Sequence, residues 1–379
     1  MIKIAVIIED LDEEASGPSN SVPLGACAVK NSKSFFGSIC IFTRRCHKNN
    51  FKSIDVPKII EVYPKKLKSK YWLISLVYWL KNIRKIWDEF EVVHLHGTWT
   101  PSFFAVSLIP KKKNKKFIFS PRGSLSPWSI SNNNWKKRLA WPFLKLLILK
   151  VDILMATSEL ERSELRKIFP YKLIKVIPNC LNIREISFDK PKAINNPKKF
   201  LFLSRIHPKK GLSNLLDAWV DFILFLKKEE NDLIKLPSLI IAGKGDEIII
   251  KKIIFLEEKN LFNIFFIGPI YSEEKYKIYR ESDFFILPSQ SENFGMVIGE
   301  SLSTDTPVIV TKETSWENIE EVGVGFLTKK SKESIFKSLI RSNSIKDEDY
   351  LMMCKRSSKY IKSNFSQTII GERLVEIYN

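Results

Sequence analysis

The chain has 379 residues and a formal net charge of +19 at neutral pH, with 44% hydrophobic and 12% aromatic residues. This length and composition suit two packed domains and exclude a disordered tail. The apolar segments are too short or too interrupted to span a bilayer. The positive charge favours anionic partners, namely nucleotides, phosphates, acidic lipid surfaces or nucleic acid.

The cysteines and the first residues bear on the cellular compartment. The five cysteines are odd in number and include no Cys-x-x-Cys pair, so neither a disulfide framework nor a zinc cluster is predicted. Residues 2–8 form a strand-like apolar run with no charged leader or cleavage site before them. We therefore expect a cytoplasmic protein.

After the first strand, Ile2–Ile8, an acidic loop leads to Gly17-Pro18 and a helix-like segment. Glycine lets the backbone approach a ligand closely, and the neighbouring Ser and Asn residues are good helix caps. Gly17 is therefore a candidate ligand-binding residue. A simple strand-to-helix turn accounts for it equally well.

Two basic stretches, Lys65–Lys85 and Trp135–Lys150, carry aromatic and aliphatic residues among their lysines. The first includes Tyr71, Trp72 and Trp79. Basic helices with Trp and Tyr on the apolar side are typical of anionic membrane surfaces. The alternative is a pair of helices packed on the core, with the lysines in solvent.

Polar side chains also follow two predicted strands between these stretches. His94 and His96, two residues apart on the strand that starts at Val92, point to the same face. Ligands bind at the carboxyl ends of strands in open α/β sheets, so we expect His96 to contact substrate hydroxyls and His94 to be a hydrogen-bonded core residue. The sequence offers no third ligand near these two histidines, so a metal site is not predicted here. Arg122, in a Pro-Arg-Gly loop after Phe117–Ser120, either binds a phosphate or pairs with a surface carboxylate.

Strands and helices continue to alternate, as in a parallel doubly wound sheet. Residues 189–199 are polar and punctuated by proline, which predicts an interdomain linker. The strand pattern restarts at Phe200. The predicted fold is therefore α/β with two Rossmann-like domains, residues 1–188 and 200–360, and a terminal helical segment, residues 361–379.

A basic loop follows the strand Phe200–Leu203. Arg205 and Lys210 bracket it, and Gly211 stands at the entrance of the next helix. Two cations in this arrangement form a candidate diphosphate clamp, which would neutralise charge on a leaving nucleotide as a metal does in other folds. Lys209 is an alternative member of the clamp, and a solvated basic turn is the alternative account. No Asp-x-Asp motif follows a strand, so we expect no metal.

A second junction lies between the strand Asp283–Leu287 and a helix that starts near Gly295. The first N–H groups of such a helix are unpaired and carry the positive end of its dipole, so they bind phosphate. Glu292 lies just before the helix and Glu300 two turns into it, about 12 Å apart at roughly 1.5 Å per residue. That distance is close to the length of a folded nucleotide sugar. Alternatively, the two glutamates only stabilise and solubilise the helix.

These motifs resemble, in order, those of the family 4 glycosyltransferases, which are retaining, metal-independent enzymes that use nucleotide sugars. The resemblance covers nearly the whole chain. Gly17-Pro18 departs from the two glycines common in the family, and Cys180 replaces the glycine of an Asn-Gly pair. The motifs are His96-Gly-x-Trp, Arg205-x4-Lys210-Gly, Gly243-x-Gly and Glu292-x7-Glu300.

The resemblance implies a GT-B fold, in which two Rossmann-like domains face a central cleft and the last helix crosses back to the first domain. It also implies residue roles. The catalytic residues would be Glu292, Arg205, Lys210 and His96. The donor would be bound by Glu300, Asn293, Phe294, Gly295, Met296, Val297, Gly243 and Ile270. Gly17 and Arg122 would bind the acceptor, and no metal would be bound.

We therefore expect transfer of a sugar from a UDP-, GDP- or ADP-linked donor to a lipid-linked saccharide in O-antigen, capsule or exopolysaccharide synthesis. Retention is implied by the resemblance alone. The protein would lie peripherally at the inner face of the cell membrane and bind no nucleic acid. The alternatives are a soluble-acceptor synthase of the sucrose or trehalose type, a nucleic-acid-binding protein with aromatics among its basic residues, and a two-domain sugar-nucleotide epimerase.

Overall fold

The computed structural model describes residues 1–11, 17–44, 46, 55–62, 72–131, 135–183, 192, 194–229, 235–270 and 272–379. The chain divides into two compact units. The first unit contains Met1–Asn182 and Phe365–Asn379, and the second contains Ile183–Asn364. Most of the terminal helical segment, residues 365–379, therefore belongs to the first unit, although it follows the second in sequence.

The described strands are short and mostly apolar. They are β1 (Ile2–Ile8), β2 (Gly37–Thr43), β3 (Lys58–Glu61), β4 (Val92–His96), β5 (Lys116–Ser120), β6 (Ile153–Ala156), β7 (Leu173–Val176), β8 (Lys199–Leu203), β9 (Ser238–Ala242), β10 (Ile264–Gly268), β11 (Phe284–Leu287), β12 (Val308–Thr311) and β13 (Gly325–Thr328).

Helices connect most of these strands. They are α1 (Pro18–Lys30), α2 (Trp72–Glu89), α3 (Pro101–Leu108), α4 (Pro127–Ser131), α5 (Trp135–Lys150), α6 (Glu159–Ile168), α7 (Leu212–Glu229), α8 (Glu247–Glu258), α9 (Ser272–Glu281), α10 (Met296–Ser303), α11 (Ile319–Val322), α12 (Lys332–Asn343), α13 (Asp347–Phe365) and α14 (Gln367–Tyr378).

Within the described residues, the first unit holds a seven-stranded parallel sheet in the order β3-β2-β1-β4-β5-β6-β7. Helices α2, α3 and α5 bury Trp79, Phe103 and Leu144 in one core. A separate core holds side chains of α1 and α14 together with β1, among them Val22 and Leu374. Strands covered on both faces need apolar residues at successive positions, which explains the apolar runs in the sequence.

The second unit repeats this plan. Its described strands form a six-stranded parallel sheet in the order β10-β9-β8-β11-β12-β13. Phe200, Trp219 and Phe284 are fully buried at its centre. Each sheet reverses its strand order once, between β1 and β4 in the first unit and between β8 and β11 in the second. Open α/β sheets bind ligands outside the carboxyl ends of the strands at this reversal.

The predicted α/β class with two doubly wound domains is confirmed. Strands β2 and β3 were not predicted, because β3 has only four residues and is partly exposed, and β2 starts with Gly-Ser. The units divide after Asn182 and after Asn364, whereas the sequence indicated boundaries at 188 and 360. Lys192 explains part of this difference, since its ammonium donates to the Ser282 carbonyl at 2.5 Å and to Thr306 Oγ1 at 2.6 Å within the second unit.

Candidate active site

Two loops of the second unit start side by side at the strand reversal. One follows β8 and runs from Ser204 to Gly211, and the other follows β11 and runs from Pro288 to Gly295. Gly211 has φ +73°, and a Cβ there would lie 2.0 Å from the Pro288 carbonyl oxygen. The backbone N–H of Gln290 donates to the carbonyl of Lys209 at 2.7 Å. The two loops therefore pack directly against each other.

The clamp lysine and the first glutamate of the sequence motifs are in contact. Lys210 Nζ forms an ion pair with Glu292 Oε1, with the two side chains 16% and 11% exposed. The Ser289 hydroxyl donates to the same oxygen at 2.8 Å. Glu292 Oε2 has no hydrogen-bond partner among the described residues. The contacts orient the carboxylate and leave one oxygen to accept hydrogen bonds.

The loop before α10 is held by the last residue of β12 and by a residue of the segment that follows β12. Thr311 Oγ1 donates to the Ser289 carbonyl at 2.5 Å, and Trp316 Nε1 donates to the Phe294 carbonyl at 2.5 Å. The Phe294 and Trp316 rings lie 5.3 Å apart. Nothing in the sequence marks Thr311 or Trp316 as part of the site. They act by fixing the backbone that carries the predicted donor-binding residues.

Helix α10 begins at Met296, with Gly295 as its N-cap at φ +72°. A left-handed residue stands outside the helix, so the first N–H groups of α10 are those of Met296 and Val297. The predicted helix started one residue earlier, near Gly295, with Glu300 two turns into it. Glu300 is the fifth residue of α10 and lies little more than one turn in.

Glu300 has a basic partner that was not predicted from the sequence. Lys275 Nζ on α9 lies 2.7 Å from Glu300 Oε1, and the side chains are 23% and 14% exposed. The two residues are 25 positions apart, so no local pattern connects them. Each motif glutamate is therefore paired with a lysine.

The remaining donor-side residues follow β8, β9 and β10. Arg205 is exposed and has no hydrogen bond or ion pair with any residue that the structure describes. Gly243 follows β9, and its N–H donates to the Gly268 carbonyl at 2.9 Å. Ile270 is half-buried after β10. These strands are parallel neighbours, so all three residues lie at the same edge of the sheet as Glu292.

In the first unit, the two histidines lie on β4 beside β5. His94 Nδ1 bonds to the Tyr378 hydroxyl at 2.8 Å and Nε2 to Ser120 Oγ at 2.8 Å, which confirms the predicted hydrogen-bonded core histidine. His96 is 4% exposed, and its Nδ1 accepts from Arg122 Nε at 3.2 Å. Burial lowers the pKa of both histidines well below the usual value, and the Arg122 charge adds to the effect. Both are therefore neutral at neutral pH.

Arg122 and Gly17 lie at this edge of the first sheet too. Arg122 Nη1 contacts Asn179 Oδ1 and donates to Ser21 Oγ at 3.3 Å, so its partners are neutral groups and not a surface carboxylate. Burial lowers the pKa of Arg122 to about 10, which leaves it charged. The Gly17 carbonyl accepts from Ser21 N at 3.1 Å in the first turn of α1. Ser21 thus links the two predicted acceptor-side residues.

The basic aromatic stretches form α2 and α5, which pack on one face of the first sheet. Trp79 is completely buried and packs in the core, as the alternative of a core-packed helix predicts for this residue. Lys65–Lys70 and Tyr71 lie outside the described residues. Exposed apolar side chains remain on both helices and are together called the outer helix surface: Trp72, Leu73, Val77, Leu80, Trp135, Leu139, Leu146 and Leu149.

The described residues were searched for a membrane-spanning helix and for a cluster of metal ligands. No helix in the described ranges has the length and hydropathy of a membrane span. Among the same residues, no group of three or more His, Cys, Asp or Glu is arranged to hold a metal ion. Asp347 and Asp349 stand in the first turn of α13, so this Asp-x-Asp sequence does not follow a strand.

Two family models match consecutive parts of the chain. The model "Glycosyltransferase Family 4" matches residues 38–185, and the model "Glycosyl transferases group 1" matches residues 183–361. The matches meet at residues 183–185, where the two structural units also meet in sequence. The first model leaves out β1 but covers nearly all of the other described strands of the first sheet, and the second model covers the described strands of the second sheet.

Relatives carry related descriptions. An uncharacterized glycosyltransferase of Methanocaldococcus jannaschii is 26% identical over 331 residues, which cover 86% of each chain. An uncharacterized 41.2 kDa protein in the cps region of Klebsiella pneumoniae is 25% identical over 250 residues, which cover 63% of this chain and 64% of the relative. The alpha-monoglucosyldiacylglycerol synthase of Streptococcus pneumoniae is 35% identical over 115 residues, which cover 30% of this chain and 24% of the synthase.

Solved structures share the fold over the whole chain. A sucrose-phosphate synthase from Thermosynechococcus elongatus has a TM-score of 0.76 at 17% identity and covers 100% of this chain and 98% of its own. Anabaena HepE, in complex with UDP and glucose, has a TM-score of 0.71 at 16% identity and covers 99% of each chain. These are GT-B glycosyltransferases. Because the two family models together span residues 38–361, the chain belongs to the family 4 glycosyltransferases of the GT-B fold.

Proposed function

We propose that this glycosyltransferase moves a sugar from a nucleotide donor to a lipid-linked saccharide, with retention of configuration and without a metal ion. The donor half of the proposal depends mainly on one observation. The loops after β8 and β11 pack together at the strand reversal, and Lys210 of one loop pairs with Glu292 of the other. Cations and carboxylates at this position suit a ligand that combines a diphosphate with a sugar.

The proposed diphosphate ligands are Arg205, Lys210 and the first N–H groups of α10. Arg205 is exposed and makes no contact with a described carboxylate, so its charge is available. Lys210 has three N–H donors and can contact a phosphate oxygen while it bonds to Glu292. These charges would stabilise the negative charge that develops on the leaving nucleotide. In many enzymes, electrostatic stabilisation of this kind contributes more to the rate than any other effect.

The two glutamates would bind hydroxyl groups at the two ends of the donor. Glu292 Oε2 is oriented by the contacts at Oε1 and would accept from hydroxyls of the donor sugar. Glu300, held by Lys275, would accept from the ribose. Asn293, Phe294, Gly243 and Ile270 would supply backbone contacts to the sugar, the phosphates and the base. UDP and glucose in the HepE complex support a nucleotide-sugar donor.

Thermal unfolding of the purified protein with UDP, GDP and ADP tests donor binding. A ligand at 100 times its dissociation constant adds about 2.7 kcal/mol to the free energy of unfolding. We expect one of the three nucleotides to raise the melting temperature, and Arg205→Ala to reduce that shift. No shift with any nucleotide up to millimolar concentration would contradict the proposal.

The acceptor half of the proposal depends on the outer helix surface. Leu73 on α2 and Leu149 on α5 are 70% and 76% exposed, and Lys81 and Arg84 are exposed further along α2. Apolar and basic side chains together suit the interface of an anionic membrane. The Klebsiella relative in a cps region and the synthase named for a glucosyldiacylglycerol support acceptors of the cell surface and of the bilayer.

At the edge of the first sheet, His96, Arg122 and the backbone at Gly17 would face a diphosphate-linked sugar on this acceptor. His96 Nε2 and Arg122 Nη2 have no hydrogen-bond partner among the described residues, so both remain available as donors. The acceptor would be a precursor of an O-antigen, a capsule or an exopolysaccharide. Transfer of radiolabelled sugar into lipid extracts, compared with soluble sugars, tests this assignment.

A synthase with a soluble acceptor is the second candidate. The likeness to a sucrose-phosphate synthase favours it at the level of the fold. Such an enzyme needs no membrane surface. Label found only in soluble products, together with no binding to acidic vesicles, would favour it over the lipid-linked acceptor.

A further inference from the structure

The buried cluster on the first sheet restricts the chemistry of His96. The His94 and His96 rings lie 3.9 Å apart, His94 bonds to Tyr378, and Arg122 donates to His96. Tyr378 lies near the end of α14, 284 positions from His94. The family motifs in this sequence do not include Tyr378. It is nevertheless connected to a proposed substrate-binding residue by two contacts.

The bond from Arg122 assigns the proton on His96. A guanidinium group has only N–H donors and no acceptor. Nδ1 of His96 therefore contributes a lone pair to Arg122 Nε, 3.2 Å away, and the proton of the neutral ring is on Nε2. A second proton on Nδ1 would break this bond and bring a cation against Arg122. Burial, His94 and Arg122 all lower the pKa of His96.

His94 holds the ring plane of His96 in place. Both of its nitrogens are bonded, to Tyr378 and Ser120 at 2.8 Å each, so its ring cannot turn without losing one of these bonds. His96 packs on that ring with an interplanar angle of 38°. Arg122 has φ +58°, a left-handed conformation that residues other than glycine rarely adopt. Its contacts with Ser21 and Asn179 hold it there.

We propose that Arg122 and, through His94, Tyr378 are positioning residues that keep His96 as a neutral Nε2–H donor, so that His96 donates to a substrate oxygen and never acts as a general base. The role toward substrate rests on the proposed function; the protonation state does not. A cavity of about 20 Å³ beside His96 and Arg122 has room for one oxygen atom or water molecule. The charged or titratable groups around His96 are His94, Arg122, Tyr378, Cys180 and, acting on Arg122, Glu161.

Nitrogen NMR of protein labelled at histidine tests the protonation state without substrate. The chain has four histidines, so His47→Gln, His207→Gln and His94→Gln variants identify the His96 signals by elimination. We expect His96 to show a protonated Nε2, an unprotonated Nδ1 and no titration between pH 6 and 8. A proton on Nδ1 of His96, or a titration in that range, would overturn the proposal whether or not the protein transfers sugar.

Variants test the two positioning residues. Arg122→Lys keeps the charge but loses the Nε donor, so we expect a mixture of His96 tautomers. Tyr378→Phe removes one bond from His94, and we expect broadened His96 signals and a kcat about threefold to tenfold lower, with both KM values nearly unchanged. Ser120→Ala removes the other bond and should act in the same way. Unchanged His96 signals and kcat in both Tyr378→Phe and Ser120→Ala would refute their role.

Tyr360→Phe is the matched control, because its hydroxyl donates to Asn318 at 3.3 Å in the second unit. It should leave the His96 signals unchanged. If the wild-type protein shows no transferase activity in any assay but has the expected His96 tautomer, the proposed function is contradicted and the protonation state of His96 is not.

Discussion

Lys210 contacts Glu292 in the structure and faces the diphosphate in the proposed donor complex. The pair is shielded, with side chains 16% and 11% exposed, so solvent screens it less than a surface ion pair. Lys210 therefore does two things in the proposed mechanism. It orients the carboxylate that binds the sugar, and it brings positive charge to the leaving group.

We predict that Lys210→Ala lowers kcat by about 10²–10³-fold, the usual loss when one preorganised electrostatic donor is removed. The free energy of unfolding should fall by about 1–3 kcal/mol, since Glu292 loses a charged partner. Steady-state kinetics on protein that is folded by circular dichroism measures the first effect, and denaturant unfolding measures the second.

Lys252→Ala is the control for this prediction. Its ion pair with Asp217 has a distance of 2.7 Å but is 36% and 48% exposed. Exposed pairs contribute about 0–1 kcal/mol, so this variant should keep its activity and nearly all of its stability. Wild-type turnover in both Lys210→Ala and Arg205→Ala would rule out the clamp.

At the scale of elements, the active site depends on how closely the loop after β8 approaches the loop after β11. Gly211 permits this approach, because it has φ +73° and no side chain next to Pro288. The approach brings Lys210 within reach of Glu292. A side chain at position 211 would push the two loops apart.

We predict that Gly211→Ala destabilises the protein more than Gly268→Ala does. Gly268 has φ +69° and nothing within 4 Å of a Cβ, so alanine there incurs only the cost of the left-handed backbone, about 1–2 kcal/mol. Alanine at 211 adds a contact of 2.0 Å with the Pro288 carbonyl. Chemical denaturation of both variants measures the difference, and equal losses of stability would contradict the close approach.

At the scale of the whole molecule, the acceptor proposal requires binding to a membrane surface. Leu73 on α2 and Leu149 on α5 are the most exposed apolar side chains of the outer helix surface, at 70% and 76%. We predict that the protein binds vesicles with acidic lipid and is released by high salt, because salt screens the attraction of lysine and arginine to the bilayer. Flotation with and without acidic lipid, at low and high salt, measures this.

The double variant Leu73→Ser and Leu149→Ser should weaken vesicle binding by at least tenfold, since each leucine contributes about 1.5–3 kcal/mol when buried. Leu173→Ser, 52% exposed on β7 of the same unit, is the control and should bind as the wild type does. Equal partitioning under all four lipid and salt conditions would leave the acceptor as a soluble molecule.

We also predict that chelators leave transferase activity unchanged. Arg205 and Lys210 would supply the positive charge that a metal supplies in other glycosyltransferases. Turnover measured with excess EDTA, and then with added Mg²⁺ or Mn²⁺, tests this prediction. Strict dependence on either ion would assign the enzyme to another mechanistic class.

The sequence by itself determined the strands that hold the site and the loops that follow them. Apolar runs, glycine turns and helix caps depend on residues close together in the chain, so β8, β11 and the positions of Lys210 and Glu292 could be predicted. Ser158, for example, accepts from Glu161 N at the start of α6, a contact between residues three positions apart. The order of the motifs was sufficient to indicate the family.

The tertiary structure decided which distant residues complete the site. Lys275 pairs with Glu300 across 25 positions, and Tyr378 reaches His94 across 284. It also decided that Trp79 is buried while Leu73 is exposed, although both lie on α2. These outcomes depend on the order of strands in each sheet and on which helix face meets it. No local pattern encodes either, because both follow from the packing of the complete unit.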